Sequence, residues 1–344
     1  MPAQVCFSRK KVLDIARRIH RANEGADVGV LYGAMPPPAR AKVMREIARG
    51  EVNVMVTTDV IGHGLNLPID TVVLAEDRKF DGAETRPLRV WEAAQIVGRA
   101  GRGDRPGDVL PLRVEGYAAP SAARLERFVA AANGAPIADL AIEHGYYRPS
   151  LRDLRDIGGD SVLLLPHALR RWARGGAAPS APWIRKMNVN RLAARLEALA
   201  ARLPEDLTAM PPCETYWRLA QLPMPDDCFE RVARHVLDGE AAALPTAEQL
   251  GGLDRERLEA QIRYIDAAAL AAHAFPDAGL LRDAPEGGVG ALMDAAAEAL
   301  LGRLQDHLEG EDPPVFAAFA RARFLDEYYE EYYDEYDDGY YEFD

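Results

Sequence analysis

Over roughly the first 115 residues, short β-branched apolar runs alternate with stretches of helical period. The runs predict strands at 4–7, 28–32, 52–57, 71–75 and 108–114; the stretches predict helices at 10–22, at 39–49 and from about Val90. Strands alternating with helices are the pattern of a parallel sheet covered by helices. Ser8 is placed to cap the first helix, the prolines 36–38 to start the second and Gly50 to end it. Asp81-Gly82, between Arg78-Lys79-Phe80 and Arg86-Pro87-Leu88, predicts a small β-hairpin ahead of the third helix.

Beyond Tyr117 the strand signal fades. Leu192, Leu196, Leu199 and Leu203 recur at helical spacing, as do Leu258, Ile262, Ile265 and Ala269, which predicts helices with one face in a core. Pro- and Gly-rich breaks at 175–182, 203–212 and 284–290 separate the helices into groups, and there is no internal repeat. The expected fold class is α/β with a mainly parallel sheet, followed by a mostly α-helical region. The expected division is 1–117, 118–325 and a low-complexity acidic, tyrosine-rich tail at 326–344.

With 344 residues, 48% of them hydrophobic, each part has material for its own core. The three cysteines, Cys6, Cys213 and Cys228, are too few and too scattered for a disulfide framework, and no pair has metal or redox spacing. No apolar run approaches the roughly 18 residues needed to span a bilayer, so no membrane association is expected. Without a targeting segment, a bacterial cytoplasm is favoured over a mitochondrial matrix. The net charge of −13 would argue against a nucleic-acid binder, but residues 326–344 hold ten acids and no base. Residues 1–120 carry 18 Lys and Arg against 15 Asp and Glu, so the body can still present a basic surface to phosphates.

The run Gln95-Ile96-Val97-Gly98-Arg99-Ala100-Gly101-Arg102 carries the clearest chemistry. On a continuous helix, turning about 100° per residue, Gln95, Arg99 and Arg102 would lie within roughly 60° of one another. Permanently charged guanidiniums suit a triphosphate, and Gly98 and Gly101 would admit a close second surface. Thirty residues earlier, Val54-Met55-Val56-Thr57-Thr58-Asp59-Val60-Ile61-Gly62-His63-Gly64-Leu65-Asn66 runs from a strand into a loop rich in Gly, Thr and Asp. Such loops at the carboxyl ends of parallel strands suit phosphate contact.

With Val5-Cys6-Phe7-Ser8-Arg9 and Tyr32-Gly33, these stretches resemble motifs IV, V and VI of superfamily two helicases, in that order. Residues 213–234 and 262–282 resemble the helical carboxyl-terminal region of the DExH-type mitochondrial degradosome RNA helicases and their bacterial relatives. The resemblance implies a second RecA-like domain, in which Arg99 and Arg102 act as arginine fingers on ATP and Gln95 organises the γ-phosphate and the attacking water. It implies nucleotide contact by Gly62, Gly64 and Asn66, with Asp59 bracing the loop, and contact with the nucleic-acid backbone by Thr58, Ser8, Arg9 and Gly33. His63 stands where the family is more often apolar and takes no role. The implied cofactors are ATP and Mg²⁺, and the implied partners are RNA, a first RecA-like domain and an exoribonuclease.

Several features keep a second reading. Ser8 also serves as a plain helix cap, and the hairpin is either a strand-parting element or a surface turn. Trp183 with Arg185, Lys186 and Arg191 reads as an RNA-stacking surface or as helix packing, and the acidic tail as a nucleic-acid mimic or a solvated end. No G-x-x-x-x-G-K-[ST] loop occurs in these residues, and the one D-E-x-[HD] string, Asp334-Glu335-Tyr336-Asp337, falls in the low-complexity acidic tail, so nothing in them would cradle the β- and γ-phosphates. The expectation is the carboxyl-terminal portion of an ATP-dependent RNA helicase that does not hydrolyse ATP alone. The alternatives are an ATP-independent RNA-binding or partner-docking protein, and a DNA-directed motor of the same superfamily.

Overall fold

The computed structural model describes residues 1–23, 26–62, 67–81, 84–101, 105–114, 116–137, 145–175, 184–203 and 212–310. In chain order they begin with β1 (Pro2–Val5), α1 (Arg9–Ala22), β2 (Val28–Leu31), α2 (Pro37–Arg49), β3 (Val54–Thr57) and a 3₁₀ turn (Asp59–Gly62). Next come β4 (Thr71–Leu74), β5 (Arg78–Phe80), β6 (Thr85–Pro87), α3 (Val90–Val97), β7 (Asp108–Pro111) and α4 (Ala122–Ala132). Then follow β8 (Gly145–Tyr147), α5 (Leu151–Gly158), α6 (Leu165–Arg174), β9 (Ile184–Lys186), α7 (Asn190–Ala200) and α8 (Cys213–Ala220). The remaining helices are α9 (Asp226–Asp238), α10 (Ala247–Gly251), α11 (Arg255–Ala274) and α12 (Gly288–Glu309). Among the described residues the chain forms two units: 1–137, 247–260 and 292–310 make the first, and the rest make the second.

In the first unit five strands form a wholly parallel sheet in the order β2-β3-β1-β4-β7. Ala3, Val5, Leu31, Met55, Val56, Val72 and Leu74 bury its strands beneath the flanking helices. Ser8 caps α1, its hydroxyl accepting from the Lys11 amide at 3.3 Å. Pro37 opens α2, and Gly50, at φ 75°, closes it as expected. The hairpin pairs β5 with β6, Lys79 opposite Arg86. β7 ends at Pro111 instead of continuing to 114; proline brings no amide to the ladder, and β7 is an edge strand.

The helix expected to carry the arginines ends early. α3 stops at Val97 with Gly98 as its cap, and the next amides, Arg99 and Ala100, reach back only three residues, to Ile96 and Val97. Gly101 then turns the chain at φ 83°. Arg99 therefore lies past the end of the helix that carries Gln95, and Arg102 lies outside the described residues. Gly101 admits a close approach, and it comes from the chain itself. A Cβ on Gly101 would stand 2.6 Å from the Arg105 carbonyl, and one on Gly107 would run into the backbone of Ala100 and Gly101. The close approach here is chain against chain. Because backbone cannot yield as a side chain does, Gly107→Ala is expected to cost about 3 kcal/mol. A thermal or urea midpoint of wild-type value would contradict this packing.

The division expected at residue 117 differs from the two units. α4 packs along α3, burying Leu125 and Phe128, and Arg124 pairs with Asp77 at 2.7 Å while donating to the Leu88 carbonyl at 2.9 Å. Residues 247–260 and 292–310 join the first unit as well. The second unit is mostly helical around Leu154, Leu169, Trp172, Leu196, Leu199, Tyr216, Trp217 and Phe229. It also holds a short parallel pair, β8 with β9, absent from the sequence expectation. Three residues per strand are too few for a periodicity to register. Among the described residues no helix is long and apolar enough to cross a membrane, and Cys6, Cys213 and Cys228 are free and buried.

Candidate functional site

β2, β3 and β1 are neighbours, so the segments leaving their carboxyl ends gather along one edge of the sheet. Gly33 follows β2, Thr58 follows β3 and Ser8 follows β1. Gly33 is exposed, and a Cβ added there would meet nothing within 4 Å. Thr58 is only 6% exposed; its amide donates to the Leu31 carbonyl at 3.2 Å, and its hydroxyl accepts from the Val60 amide at 3.5 Å. That hydroxyl shapes the 3₁₀ turn from within.

The turn is seated against α3. Ile61 is fully buried, and a Cβ on Gly62 would lie 3.7 Å from Ile96 and 3.8 Å from the Gln95 Cβ, ordinary contact distances. The Arg99 guanidinium closes the arrangement, its Nη2 donating to the Gly62 carbonyl at 2.6 Å. A cation-to-carbonyl bond of this kind joins the two loops that the sequence singled out separately. Gln95 stands exposed on α3 beside them, and Arg99 is half-buried. Gly64 and Asn66, like Arg102, lie outside the described residues.

Comparison with known proteins covers the stretch that holds these loops. Residues 3–104 match the family model described as the helicase conserved C-terminal domain. The mitochondrial ATP-dependent RNA helicase SUV3 of Candida albicans is 44% identical over 98 residues, 28% of this chain and 14% of that protein. SUV3 of Saccharomyces cerevisiae is 41% identical over 98 residues, 28% of this chain and 13% of that protein. The mitochondrial helicase DExH16 of Arabidopsis thaliana is 40% identical over 100 residues, 28% of this chain and 17% of that protein. Residues 3–104 are a helicase C-terminal domain, similar in sequence to those of these RNA helicases. The matches span less than a fifth of those relatives' length, so they speak for the helicase C-terminal domain alone.

Within the helicase domain, a chain of ion pairs ties the turn, the hairpin and α3 together. Lys79 on β5 lies 3.4 Å from Asp59 and 3.1 Å from Glu92 on α3. Arg86 on β6 holds both Glu92 oxygens at 2.8 Å and reaches Asp81 at 2.7 Å. The Arg89 amide donates to the same carboxylate at 2.7 Å, closing the first turn of α3. Burial alone would raise the Glu92 pKa, but the Arg86 guanidinium, the Arg89 amide and Lys79 outweigh it and hold it at about 2. Arg86, bonded to Glu92, is correspondingly harder to deprotonate. The sequence reading passed over Lys79, Arg86 and Glu92. The available signal was the hairpin's basic positions facing an acid in the first turn of the next helix.

Arg9 is engaged elsewhere. Its guanidinium pairs with Glu259 of α11, which is 3% exposed and also accepts from the Tyr32 hydroxyl at 2.9 Å. Burial and the Glu259 charge raise the Tyr32 pKa well above its usual value. In the second unit, Lys186 donates to the carbonyls of Trp172 and Gly175 and sits 4.9 Å from the centre of the Trp172 ring. Arg191 holds Asp226 at 3.2 Å and the Met224 carbonyl at 3.0 Å. Of the expected stacking set, these two cations brace the unit's own frame, Arg185 is exposed and Trp183 lies outside the described residues.

Proposed function

We propose that this chain is the finger-bearing portion of an ATP-driven RNA helicase. Arg99 and Arg102 would stabilise charge on the γ-phosphate of an ATP held by another RecA-like domain, while Gln95 orients the attacking water. Asp59, Gly62, Gly64 and Asn66 would shape the loop at the nucleotide's ribose side. ATP fits an exposed amide and a fork of guanidinium donors at one loop; Mg²⁺ belongs to the domain that carries the phosphate-cradling loop. Gly33 and the backbone around Ser8 and Thr58, at one sheet edge, would follow the RNA strand. Arg9 leaves that track because Glu259 already engages it.

The observation that carries the reading is the Arg99 bond to the Gly62 carbonyl, which brings the finger loop and the nucleotide loop together. Docking of an exoribonuclease belongs to the same reading and is checked by co-purification. A mitochondrial location, as in the relatives' names, stands beside a bacterial cytoplasm.

The test uses the purified chain. It should bind single-stranded RNA with an affinity that falls steeply as salt is added, and it should show no Mg²⁺-dependent ATP turnover alone. Robust turnover abolished by Arg99→Ala would overturn the division of labour. No RNA binding at low salt would overturn the RNA reading. An intact preference for DNA over RNA in the same titration would favour a DNA-directed motor.

A further inference from the structure

A second basic site lies at the opposite end of α3 from Arg99. A cavity of about 350 Å³, in the size range of small-ligand sites, opens where β6 meets α3 and α4. Four arginines line it: Arg86 and Arg89 from the β6–α3 junction, and Arg124 and Arg127, three apart and so on one face of α4. Leu88 and Phe128, both buried, form its apolar floor.

The four arginines divide by their partners. Arg86 is held by Glu92 and Asp81, and Arg124 by Asp77, with its guanidinium 5.4 Å from the centre of the Phe128 ring. Those two build the walls. Arg89 and Arg127 are exposed, and neither has an ion pair among the described residues. Their positive charge is therefore left for something outside these residues, beside an apolar floor that suits a sugar or base edge.

We propose that this cleft is a second phosphate subsite for a single-stranded nucleic acid, gripping one phosphodiester between Arg89 and Arg127. The inference rests on the reading of the chain as an RNA-handling domain, and it adds a contact remote from the finger loop. A strand crossing the carboxyl edge of the sheet would thus gain a second anchor beside the hairpin.

The experiment titrates the 344-residue chain with fluorescently labelled oligouridine at several salt concentrations, for wild type and Arg89→Ala/Arg127→Ala. Both side chains are exposed, so the variant keeps its fold, which circular dichroism verifies. Affinity at low salt should drop about tenfold, and the dependence of log affinity on log salt should flatten by roughly 0.7 for each lost contact. Arg89→Lys/Arg127→Lys should restore the slope. Arg45→Ala/Arg49→Ala, which removes equal charge from exposed positions on α2, should leave it unchanged.

Wild-type binding with an unaltered variant slope would overturn the subsite while leaving the RNA reading intact. An equal loss in the α2 variant would overturn it too, as would an effect confined to an added peptide of residues 326–344, which would make an acidic peptide the occupant. A wild-type chain that binds no RNA would remove the parent reading, and the subsite with it.

Discussion

Replacing Arg99 by alanine should lower ATP turnover by about 10³-fold or more in the two-domain assembly, with little change in the KM for ATP. The asymmetry follows from what an arginine finger does. It meets charge that develops on the γ-phosphoryl oxygens during transfer, so its loss falls on the transition state, whereas ground-state binding rests on the domain that cradles the phosphates. Arg99→Lys should rescue poorly. A lysine is a point charge, and it cannot hold the Gly62 carbonyl with one arm of a planar fork while presenting another to phosphate. Steady-state hydrolysis at saturating RNA measures both variants. Turnover within a few-fold of wild type for Arg99→Ala would remove the residue from the catalytic set.

Glu92→Gln should destabilise the first unit by about 3 kcal/mol at neutral pH, at roughly 1.4 kcal/mol per unit of pKa displacement. Glu92 is 8% exposed and holds its proton only below a pH of about 2, against its ordinary 4.5. A carboxyl whose pKa is lowered by folding stabilises the fold fully above 4.5, and the contribution drains away as pH falls toward 2. The cost of the substitution should therefore shrink in step. The neutral amide leaves Arg86 and Lys79 sharing no charge on α3, so the hairpin and the first turn of α3 should loosen before the sheet does. Because the chain has two units, hydrogen exchange at α3 and β5–β6 is a cleaner measure than one global midpoint. Protection at those amides equal to wild type at neutral pH would refute the network's role.

Most strands and helices of residues 1–117 were legible in local pattern. β-branched runs, the Ser8 cap, the Pro37 start and the Gly50 stop each act over a few residues, so local pattern reports them. Motif order singled out the two loops that the Arg99 bond to the Gly62 carbonyl joins. The close packing beyond α3 was not legible, because Gly101 and Gly107 are required by two backbone segments meeting, and neither segment records the other. Only the fold brings Arg9 to Glu259, 250 positions away, and turns a candidate strand contact into an internal brace. The same holds for α4, whose apolar face could have packed on any helix until Arg124 found Asp77. Periodicity states that a face is buried; which surface buries it, and which charge is left over for a ligand, depends on contacts between residues distant along the chain.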